Sequence, residues 1–456
     1  MVLSHFNNPQ WAAWPWRMWK SPLEQAKVLP TFVVNEWMYR AVTATCAFHA
    51  HKTGNWQLWF SSWICGSFND AFFMAMPFCD NFWQAQACIM VTPRMPLYII
   101  EMYATILYCS TTAARRFGLP YAPEAALCGL MAHLMYHTYD INGPRFLWWT
   151  WHDADPAIEK RQLNAPVGSS MWILTYCALH AAVNRWVNDP SAVPIQPFVK
   201  EIIAKVEAFL KQMLGEWTSK VLELAEKTAG RVDNLHDVLV KSSDLLKIVF
   251  CGSVCTPLFV MAMGPFQIFS LDVLGVPGKR TYRLAVLFYL AVIARAIKLK
   301  QSAGPTRVPL AVQEANLTLL KAVAAFYAVQ CAVSVLGKPE QHLSTGCHQK
   351  SGALGVKVAK DIMGYDREEH VSDTQGPTMH SRNDYAFPDA KLDGTYDRAG
   401  KKIILADGSD PVKCEWYTVV GKAVPKERRL REIAGVFSFS LIGSLLYGWA
   451  LSGPSL

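Results

Sequence analysis

Acidic and histidine side chains that could donate or accept protons lie within or beside the apolar stretches of this chain. An apolar environment disfavours the charged form of a carboxyl group, which suits that group to donate a proton. A charge at the centre of a membrane helix costs about 2.5–3.5 kcal/mol on insertion scales, so such residues are expected to have partners and a function. The candidate catalytic residues are Asp70, Asp80, Glu101, His137, Asp140 and Asp153.

Several of these residues have polar neighbours at spacings that would bring them together. Asn69–Asp70 and Asp80–Asn81 are two carboxylate–amide pairs ten residues apart, and they could line one cavity. Glu101, in the next apolar stretch, is a candidate partner for the groups that this cavity would contain. Glu36 and Arg40 are four residues apart, which predicts an ion pair on one helix face. For each group the alternative is a structural role in holding helices together.

Two histidines and an aspartate share one face of a predicted helix. His133, His137 and Asp140 follow one another at i, i+4 and i+7. Histidines at i, i+4 can share a divalent metal, although no Glu follows the first one as in the HExxH zinc motif. The other interpretations are a proton relay, a substrate-binding role and simple packing. The sequence therefore leaves the cofactor unknown, with a metal at His133 and His137 as one hypothesis.

A segment rich in tryptophan leads from these histidines into a charged loop. Trp149 and Trp151 are typical of the membrane interface, and His152 and Asp153 could form an acid/base group beside them. A polar mouth on an apolar cavity would suit a lipophilic substrate; the alternative is a solvated loop between aromatic anchors. The predicted substrate-binding residues are Asn69, Asn81, Tyr98, Trp149, Trp151, His152 and Arg161.

The elements that carry these residues are predicted to be membrane helices. The chain is 52% hydrophobic and only 18% charged, whereas soluble chains are about 25% charged. Apolar stretches of about 20 residues are long enough to cross a bilayer. We therefore expect an all-α, polytopic integral membrane bundle of about eight or nine transmembrane helices. The predicted spans are 30–51, 56–78, 96–114, 124–141, 168–188, 247–273, 282–298, 317–336 and 433–452.

Two regions between the spans have a different character. Phe82–Thr92 is apolar but only half a bilayer long, and the prolines around it predict a broken or re-entrant helix. Residues 197–247 repeat apolar side chains at helical spacing, which predicts amphipathic helices broken near Gly215 and Gly230. Their polar face mixes acids and bases, whereas a membrane-surface helix is normally rich in lysine and arginine. Packing on a protein partner or as a coiled hairpin therefore fits this region at least as well as a position on the membrane surface.

The composition divides the chain into six regions. They are an interfacial aromatic segment (1–29), a transmembrane bundle with a polar interior (30–188), an amphipathic helical linker (189–246), further transmembrane helices (247–336), a soluble polar insertion (337–431) and a last transmembrane helix (432–456). The interfacial segment lacks the apolar core of a signal peptide. We therefore expect a multi-pass protein of the endomembrane system, in the endoplasmic reticulum or a membrane derived from it.

Five segments of the sequence carry a resemblance to known proteins. They are 68–73, 80–86, 92–98, 148–153 with Asp155 and Arg161, and 344–349. These segments are similar to those of a family of uncharacterised eukaryotic multi-pass membrane proteins, over most of the chain. The resemblance implies the architecture and no particular chemistry.

A looser likeness, of arrangement only, links the chain to membrane-embedded carotenoid hydratases and cyclases. The pattern that carries it consists of Trp149, Trp151, Pro166, Ser169 and Trp172. The likeness would imply acid-initiated chemistry on an isoprenoid double bond, with Asp70, Asp80 or Glu101 as the proton source.

The sequence supports three functional hypotheses. The first is a membrane-embedded enzyme that does acid/base chemistry on a lipid or isoprenoid substrate, with membrane lipids around it. The second is a proton-coupled transporter or channel, and the third is a membrane scaffold that recruits a protein partner through 197–246. The sequence has no Lys/Arg stripe with interleaved aromatics, so it does not indicate a nucleic-acid partner. Walker A and GxSxG motifs are also absent from the sequence.

Overall fold

The computed structural model describes most of the chain. The described residues are 17–75, 82–92, 94–151, 161–163, 165–190, 200, 204, 207, 217–268, 278–299, 310–349, 358–360, 366–368, 414–420 and 426–453. Side-chain surroundings are defined for most of these residues, but not for Trp151 and Arg161.

Helices make up nearly all of the described structure. They are α1 (Pro22–Ala26), α2 (Pro30–Thr53), α3 (Trp56–Ala75), α4 (Leu97–Arg115), α5 (Tyr121–Arg145), α6 (Val167–Trp186), α7 (Trp217–Val240), α8 (Asp244–Ile268), α9 (Gly278–Leu299), α10 (Leu310–Leu336) and α11 (Lys426–Ser452). Each of the nine predicted spans overlaps one of these helices over its described residues. The helical class is therefore confirmed, although four small two-stranded sheets accompany the helices.

The ends of α2 illustrate how local sequence sets a helix boundary. Pro30 occupies the first helical position, where its fixed φ suits the helix and its missing N–H costs nothing. Gly54 ends the helix in the left-handed conformation, with φ of 73°, and its N–H donates to the Ala50 carbonyl. Only glycine adopts this conformation without a steric penalty.

The helix α4 lies at the centre of the N-terminal region. It packs against α2, α3 and α5, and it is buried without interruption from Tyr98 to Ala114. The neighbouring helix α5 contacts α6 as well as α9, α10 and α11. These two helices therefore place their polar side chains in the interior of the bundle.

The segment that was expected to form a re-entrant helix instead begins with a short strand that pairs with a distant part of the chain. The strand β1 (Phe82–Gln84) pairs antiparallel with β2 (Trp149–Trp151), with Phe82 opposite Trp151 and Gln84 opposite Trp149. The expectation of a broken helix was wrong because the strand's backbone groups find partners far along the chain. Backbone hydrogen bonding across the sheet satisfies groups that a short helix would leave unpaired at its ends.

Three further antiparallel pairs lie outside the helical core. The strand β3 (Arg161–Gln162) pairs with β4 (Ala165–Pro166). In the predicted soluble insertion, β5 (Leu343–Gln349) pairs with β8 (Cys414–Val420), and β6 (Val358–Lys360) pairs with β7 (Asp366–Glu368). The insertion thus has local β structure, while the six-part division of the chain stays a prediction.

The amphipathic region is less broken than expected. The helix α7 runs continuously through Gly230, so the predicted break at this residue was wrong. One glycine in a helix interior costs only about 1 kcal/mol relative to alanine, and the long helix tolerates it. The other predicted break, at Gly215, lies outside the described residues.

Three of the described helices are long and apolar enough to cross a membrane. The candidate spans are Asp244–Met261 in α8, Ala311–Leu336 in α10 and Lys426–Ser452 in α11. Eight or nine spans were expected, and by length and composition the described helices give three. The helices α2 to α6 are rich in tryptophan, tyrosine, serine and histidine, which lowers their hydropathy although their lengths are sufficient.

Candidate functional site

The carboxyl group of Asp70 lies inside the bundle, near the end of α3. Its side chain is 2% exposed, and its Oδ1 accepts a 2.9 Å hydrogen bond from the hydroxyl of Tyr103 on α4. The amide of Asn69 donates to the same hydroxyl at 3.3 Å. Within the described part of the chain, no lysine or arginine pairs with Asp70, and its partners are all neutral.

Aromatic rings surround the partner of this carboxyl group. Trp172 on α6 meets Tyr103 edge to face, with ring centroids 5.5 Å apart. Tyr136 on α5 lies 6.0 Å from Trp172. Gly66 allows Tyr103 to lie close to the backbone of α3, because a Cβ at position 66 would collide with the Tyr103 side chain. We call Asn69, Asp70, Tyr103, Tyr136 and Trp172 the Asp70 cluster.

A second group of charges joins α2 to α4. Glu36 receives a 2.6 Å hydrogen bond from Arg40, which confirms the predicted ion pair. The same carboxylate accepts backbone N–H groups from Cys88 and Ile89, at 2.9 and 3.1 Å. Arg40 also lies 3.6 Å from Glu101. Glu36, Arg40 and Glu101 form the Arg40 cluster, and it ties the loop after β1 to the helices.

The structure gives Glu101 and Asp70 different partners. Glu101 and Tyr103 are two residues apart on α4, so their side chains point to opposite sides of the helix. Glu101 therefore contacts Arg40 of α2, whereas Tyr103 contacts Asp70 of α3. Glu101 keeps one buried oxygen, Oε2, without a hydrogen-bond partner among the described residues.

Tyr98 and Trp149, two predicted substrate-binding residues, meet around Tyr139. The Tyr98 and Tyr139 hydroxyls are 2.9 Å apart, and Tyr98 also donates to the amide oxygen of Gln84 at 2.8 Å. The Trp149 ring lies 4.1 Å from that of Tyr139. Each of these side chains is nearly or fully buried. They form an aromatic wall behind the β1–β2 pair.

His133 and His137 lie side by side on α5, as their spacing predicts. Their rings stack at 4.8 Å, and His133 Nε2 is 2.5 Å from the hydroxyl of Tyr282. His137 Nδ1 is 3.3 Å from the hydroxyl of Ser170, while its Nε2 has no hydrogen-bond partner in the part of the chain that the structure describes. Asp140 is fully buried one turn further on.

These histidines are not part of a complete metal centre within the described residues. No group of three or more His, Cys, Asp or Glu side chains there is placed to hold a metal ion. The contact between His133 and Tyr282 uses one of the ring nitrogens that a metal would need. The arrangement is a stacked pair of histidines, each in contact with a neighbouring hydroxyl group, and the metal at His133 and His137 stays a hypothesis.

The predicted mouth lies largely outside the described residues. The structure does not describe four of the predicted site residues, which are Asp80, Asn81, His152 and Asp153. Trp151 and Arg161 are described by their backbones, which lie in β2 opposite Phe82 and in β3 opposite Pro166. The shared cavity of the two carboxylate–amide pairs therefore stays a prediction.

Sequence reasoning missed Tyr103 and Tyr136 as members of the site. Tyr103 is two residues beyond Glu101, on the face of α4 that the spacing of Tyr98, Glu101 and Thr105 left aside. Trp172 was identified only as part of the pattern that links the chain loosely to carotenoid hydratases and cyclases. A usable signal was Gly66 in the apolar stretch before Asp70, because a glycine in a helix interior can mark a close contact between helices.

One buried histidine outside the membrane-spanning segments is linked to three parts of the chain. His342 Nδ1 donates to the Lys338 carbonyl at 2.7 Å, and its Nε2 lies 2.8 Å from the hydroxyl of Thr31 at the start of α2. The Trp148 indole donates to the same hydroxyl at 3.0 Å. Burial lowers the pKa of His342, and the carbonyls of Lys338 and Pro339 oppose this effect only in part.

A comparison with known families assigns the N-terminal part of the chain. Residues 6–189 match a family described as a domain of unknown function, DUF7802. This interval ends just after α6 and contains both the Asp70 cluster and the Arg40 cluster. The resemblance to an uncharacterised family is confirmed for these residues. No curated protein and no solved structure matches the chain.

Proposed function

We propose that this protein is a membrane-embedded enzyme that does acid/base chemistry on a lipid or isoprenoid substrate, with Asp70 as the proton donor. The observation that carries the proposal is the pairing of a buried carboxyl group with a tyrosine hydroxyl, in surroundings that hold no cation among the described residues. Burial without a cation favours the neutral acid, which is the form that can give up a proton.

Tyr103 would position the acid and stabilise its conjugate base. Its hydroxyl donates to Oδ1 of Asp70, which leaves the acidic proton to the other oxygen, Oδ2. When Asp70 transfers that proton to a carbon–carbon double bond, a new C–H bond forms and the carboxylate keeps the electron pair of the broken O–H bond. A hydrogen bond to the charged form is stronger than one to the neutral acid.

The aromatic rings of the Asp70 cluster would stabilise the carbocation that this step forms on the substrate. Trp172 lies 5.5 Å from Tyr103, 5.0 Å from Tyr176 and 6.5 Å from Phe259. Ring faces attract a nearby cation by about 0.5–2 kcal/mol each, and more strongly where water is excluded. Loss of a proton from a carbon next to the cation to the Asp70 carboxylate would complete an isomerisation. Addition of water to the cation, followed by loss of one of the water's protons to the same carboxylate, would complete a hydration.

We further propose that the N-terminal helices cross the membrane together with α8, α10 and α11, giving the eight or nine spans of a multi-pass protein. A helix enclosed by other helices does not face lipid, so it can cross a bilayer with the polar side chains that α4 carries. Each of α2 to α6 has 19 to 25 residues, which is within the length that a span requires. For the membrane itself, we propose the endomembrane system.

Proton transfer from Asp70 can be tested with deuterium. The purified full chain in dodecyl maltoside is incubated in D₂O with geranylgeraniol or dioleoylphosphatidylcholine, and mass spectrometry measures deuterium bound to substrate carbon. We expect Asp70→Asn to lower this incorporation by about 10²–10⁴-fold, the range typical of a general acid. Asparagine keeps an oxygen that accepts from Tyr103, so the variant should fold.

Asp189→Asn is the matched control. Asp189 also accepts a tyrosine hydroxyl, from Tyr121 at 2.8 Å, but at the edge of the bundle. It should retain the wild-type rate. Equal incorporation in Asp70→Asn and the wild type would exclude Asp70 as the acid. If no deuterium enters either probe while proton flux into proteoliposomes depends on Asp70, the transporter hypothesis replaces the enzyme.

A further inference from the structure

A polar cavity lies at the other end of α2 and α4 from the Arg40 cluster. It has a volume of about 460 Å³, and its lining comes from the ends of α2 and α4 and the beginnings of α3 and α10. Tyr103 and Arg115 are separated by about 18 Å along α4, at 1.5 Å per residue. The cavity is therefore a separate site from the Asp70 cluster.

The charged residues that line the cavity are all basic. Arg115 and Arg116 contribute two guanidinium groups, and none of the residues that line the cavity is an aspartate or glutamate. Arg115 donates to the Asn184 side chain at 2.6 Å, and Arg116 donates to the Ala450 and Gly453 carbonyls at 2.8 and 2.5 Å. These contacts hold both guanidinium groups in place through neutral acceptors.

A buried amide adds a hydrogen-bond donor to this lining. Asn316 on α10 is 2% exposed, and its Oδ1 accepts from Nε2 of His49 at 2.9 Å. His49 is fixed in turn by Tyr108, whose hydroxyl lies 2.7 Å from Nδ1. The Nδ2 group of Asn316 has no hydrogen-bond partner among the described residues. A buried donor without a partner is costly, so this group indicates a ligand.

The start of α10 also favours an anion. Val312, which lines the cavity, lies in the first turn of a 27-residue helix. The N–H groups of a first turn have no partner within the helix, and the helix dipole makes this end positive. The first turn of a helix, a buried side-chain amide and two guanidinium groups thus border one space.

We propose that this cavity binds a phosphate-bearing anion. Phosphate offers several strong acceptor oxygens, and arginine binds it in a bidentate manner. The cavity is larger than a phosphate group alone requires, so the ligand would carry a further polar part, as a phospholipid headgroup or a soluble phosphate ester does. The proposal does not depend on the chemistry proposed for Asp70.

Isothermal titration of the full chain in dodecyl maltoside tests the proposal with two probes, inorganic phosphate and dihexanoyl phosphatidic acid. Dihexanoyl phosphatidylcholine serves as the reference lipid. Asn316→Asp keeps the oxygen that His49 contacts and replaces the free donor with a negative oxygen. We expect it to raise the dissociation constant by at least about tenfold, as expected for the loss of a hydrogen bond to a charged group.

Asn188→Asp adds the same charge at the same end of the bundle, outside the cavity, and should leave binding unchanged. Arg116→Gln, compared with Arg185→Gln, repeats the test if Asn316→Asp fails to fold. Loss of binding for both probes supports a site for soluble phosphate compounds as well as lipids, and loss for phosphatidic acid alone supports a headgroup site. If the wild type binds neither probe, or if Asn316→Asp and Arg116→Gln bind as well as their controls, the proposal is wrong.

Discussion

The two halves of the helical structure, α2 to α6 and α8 to α11, contain helices with different surroundings. In α4, the polar residues Glu101, Thr105 and Ser110 are all buried, and the helix is enclosed by its neighbours. In α11 the apolar residues are outside: Leu441 is 63% exposed and Leu445 is 65% exposed. In the N-terminal half, α4 is therefore an interior helix with buried polar side chains, whereas α11 in the C-terminal half presents an apolar face that suits lipid.

This contrast explains why only three of the described helices satisfy a hydropathy criterion. Hydropathy identifies helices whose surface faces lipid, because only these helices must be apolar on the outside. A helix inside a bundle can exchange apolar side chains for polar ones that bind one another, as Thr43 on α2 and Thr105 on α4 do at 2.8 Å. Helices that are enclosed by other helices are thus the ones that composition detects least well.

The largest expected effect tests whether the two halves form one body. Arg145 on α5 is 1% exposed and lies 3.6 Å from Glu432 on α11. Removing the buried partner leaves Glu432 with Arg428, whose side chain is partly exposed, and loss of a buried partner costs up to about 3–5 kcal/mol. We expect Arg145→Met to lower the free energy of unfolding by this amount, measured by titration with sodium dodecyl sulfate in mixed micelles.

The control for this ion pair is Arg428→Met. Arg428 contacts the same carboxylate of Glu432 at 3.2 Å, but its side chain is 33% exposed, so the loss should stay within about 1 kcal/mol. Equal effects of the two substitutions would show that burial at the junction of α5 and α11 does not determine the strength of the pair. The two halves would then be less tightly coupled than their contacts indicate.

The next prediction concerns the apolar surface. Leu441 and Leu224 have the same exposure, 63%, but Leu441 lies in a candidate span and Leu224 lies in α7. Arginine near the centre of a membrane helix costs about 2.5–3.5 kcal/mol, whereas an exposed substitution in water stays within about 0.5 kcal/mol. We expect Leu441→Arg to lower the inserted fraction in a glycosylation-mapping assay at least tenfold.

Leu224→Arg is the control, and it should leave insertion of the chain unchanged. If Leu441→Arg is tolerated equally well, the exposed face of α11 contacts water or protein, and the contrast between the two halves has to be explained by a partner surface. If both substitutions are harmful, α7 belongs with the lipid-facing helices.

Much of the fold could be predicted from the sequence because it depends on local information. Long apolar stretches gave the positions of α2 to α6 and α8 to α11, and the spacing of Glu36 and Arg40 gave their ion pair. The β1–β2 pair could not be foreseen in this way, because Phe82 and Trp151 are far apart in the chain. Short strands carry little periodicity of their own, so their pairing depends on tertiary structure.

The residue types of the candidate site could be predicted from the sequence more readily than the contacts between them. Asp70 stood out as a charge in an apolar stretch, but Tyr103 and Trp172 are joined to it only by the packing of α3, α4 and α6. Side chains on three helices converge according to crossing angles and helix rotation, which a single sequence does not specify. For the same reason, the sequence suggested that Glu101 and Asp70 belong together, whereas in the structure they have separate partners.

The smallest expected effect concerns the pH dependence of stability, and it tests whether the junction between the halves or their interiors cause it. His342 connects the start of the insertion to α2, and its lowered pKa means that the folded state favours the neutral ring. Between the folded pKa and the unfolded value of about 6.5, the unfolded chain binds more protons, so stability rises with pH. This contribution is fully present above about pH 6.5 and is lost as the pH falls through the window below it.

We therefore expect the free energy of unfolding to fall between pH 7 and pH 5 more steeply in the wild type than in His342→Gln. Glutamine can still contact Thr31 but does not titrate, so it separates the proton from the hydrogen bond. His51→Gln removes a histidine that lies on the exposed surface of α2, and it should keep the wild-type slope. An unchanged slope in His342→Gln would assign the acid sensitivity to the other buried histidines, and thus to the interior of the bundle rather than to this junction.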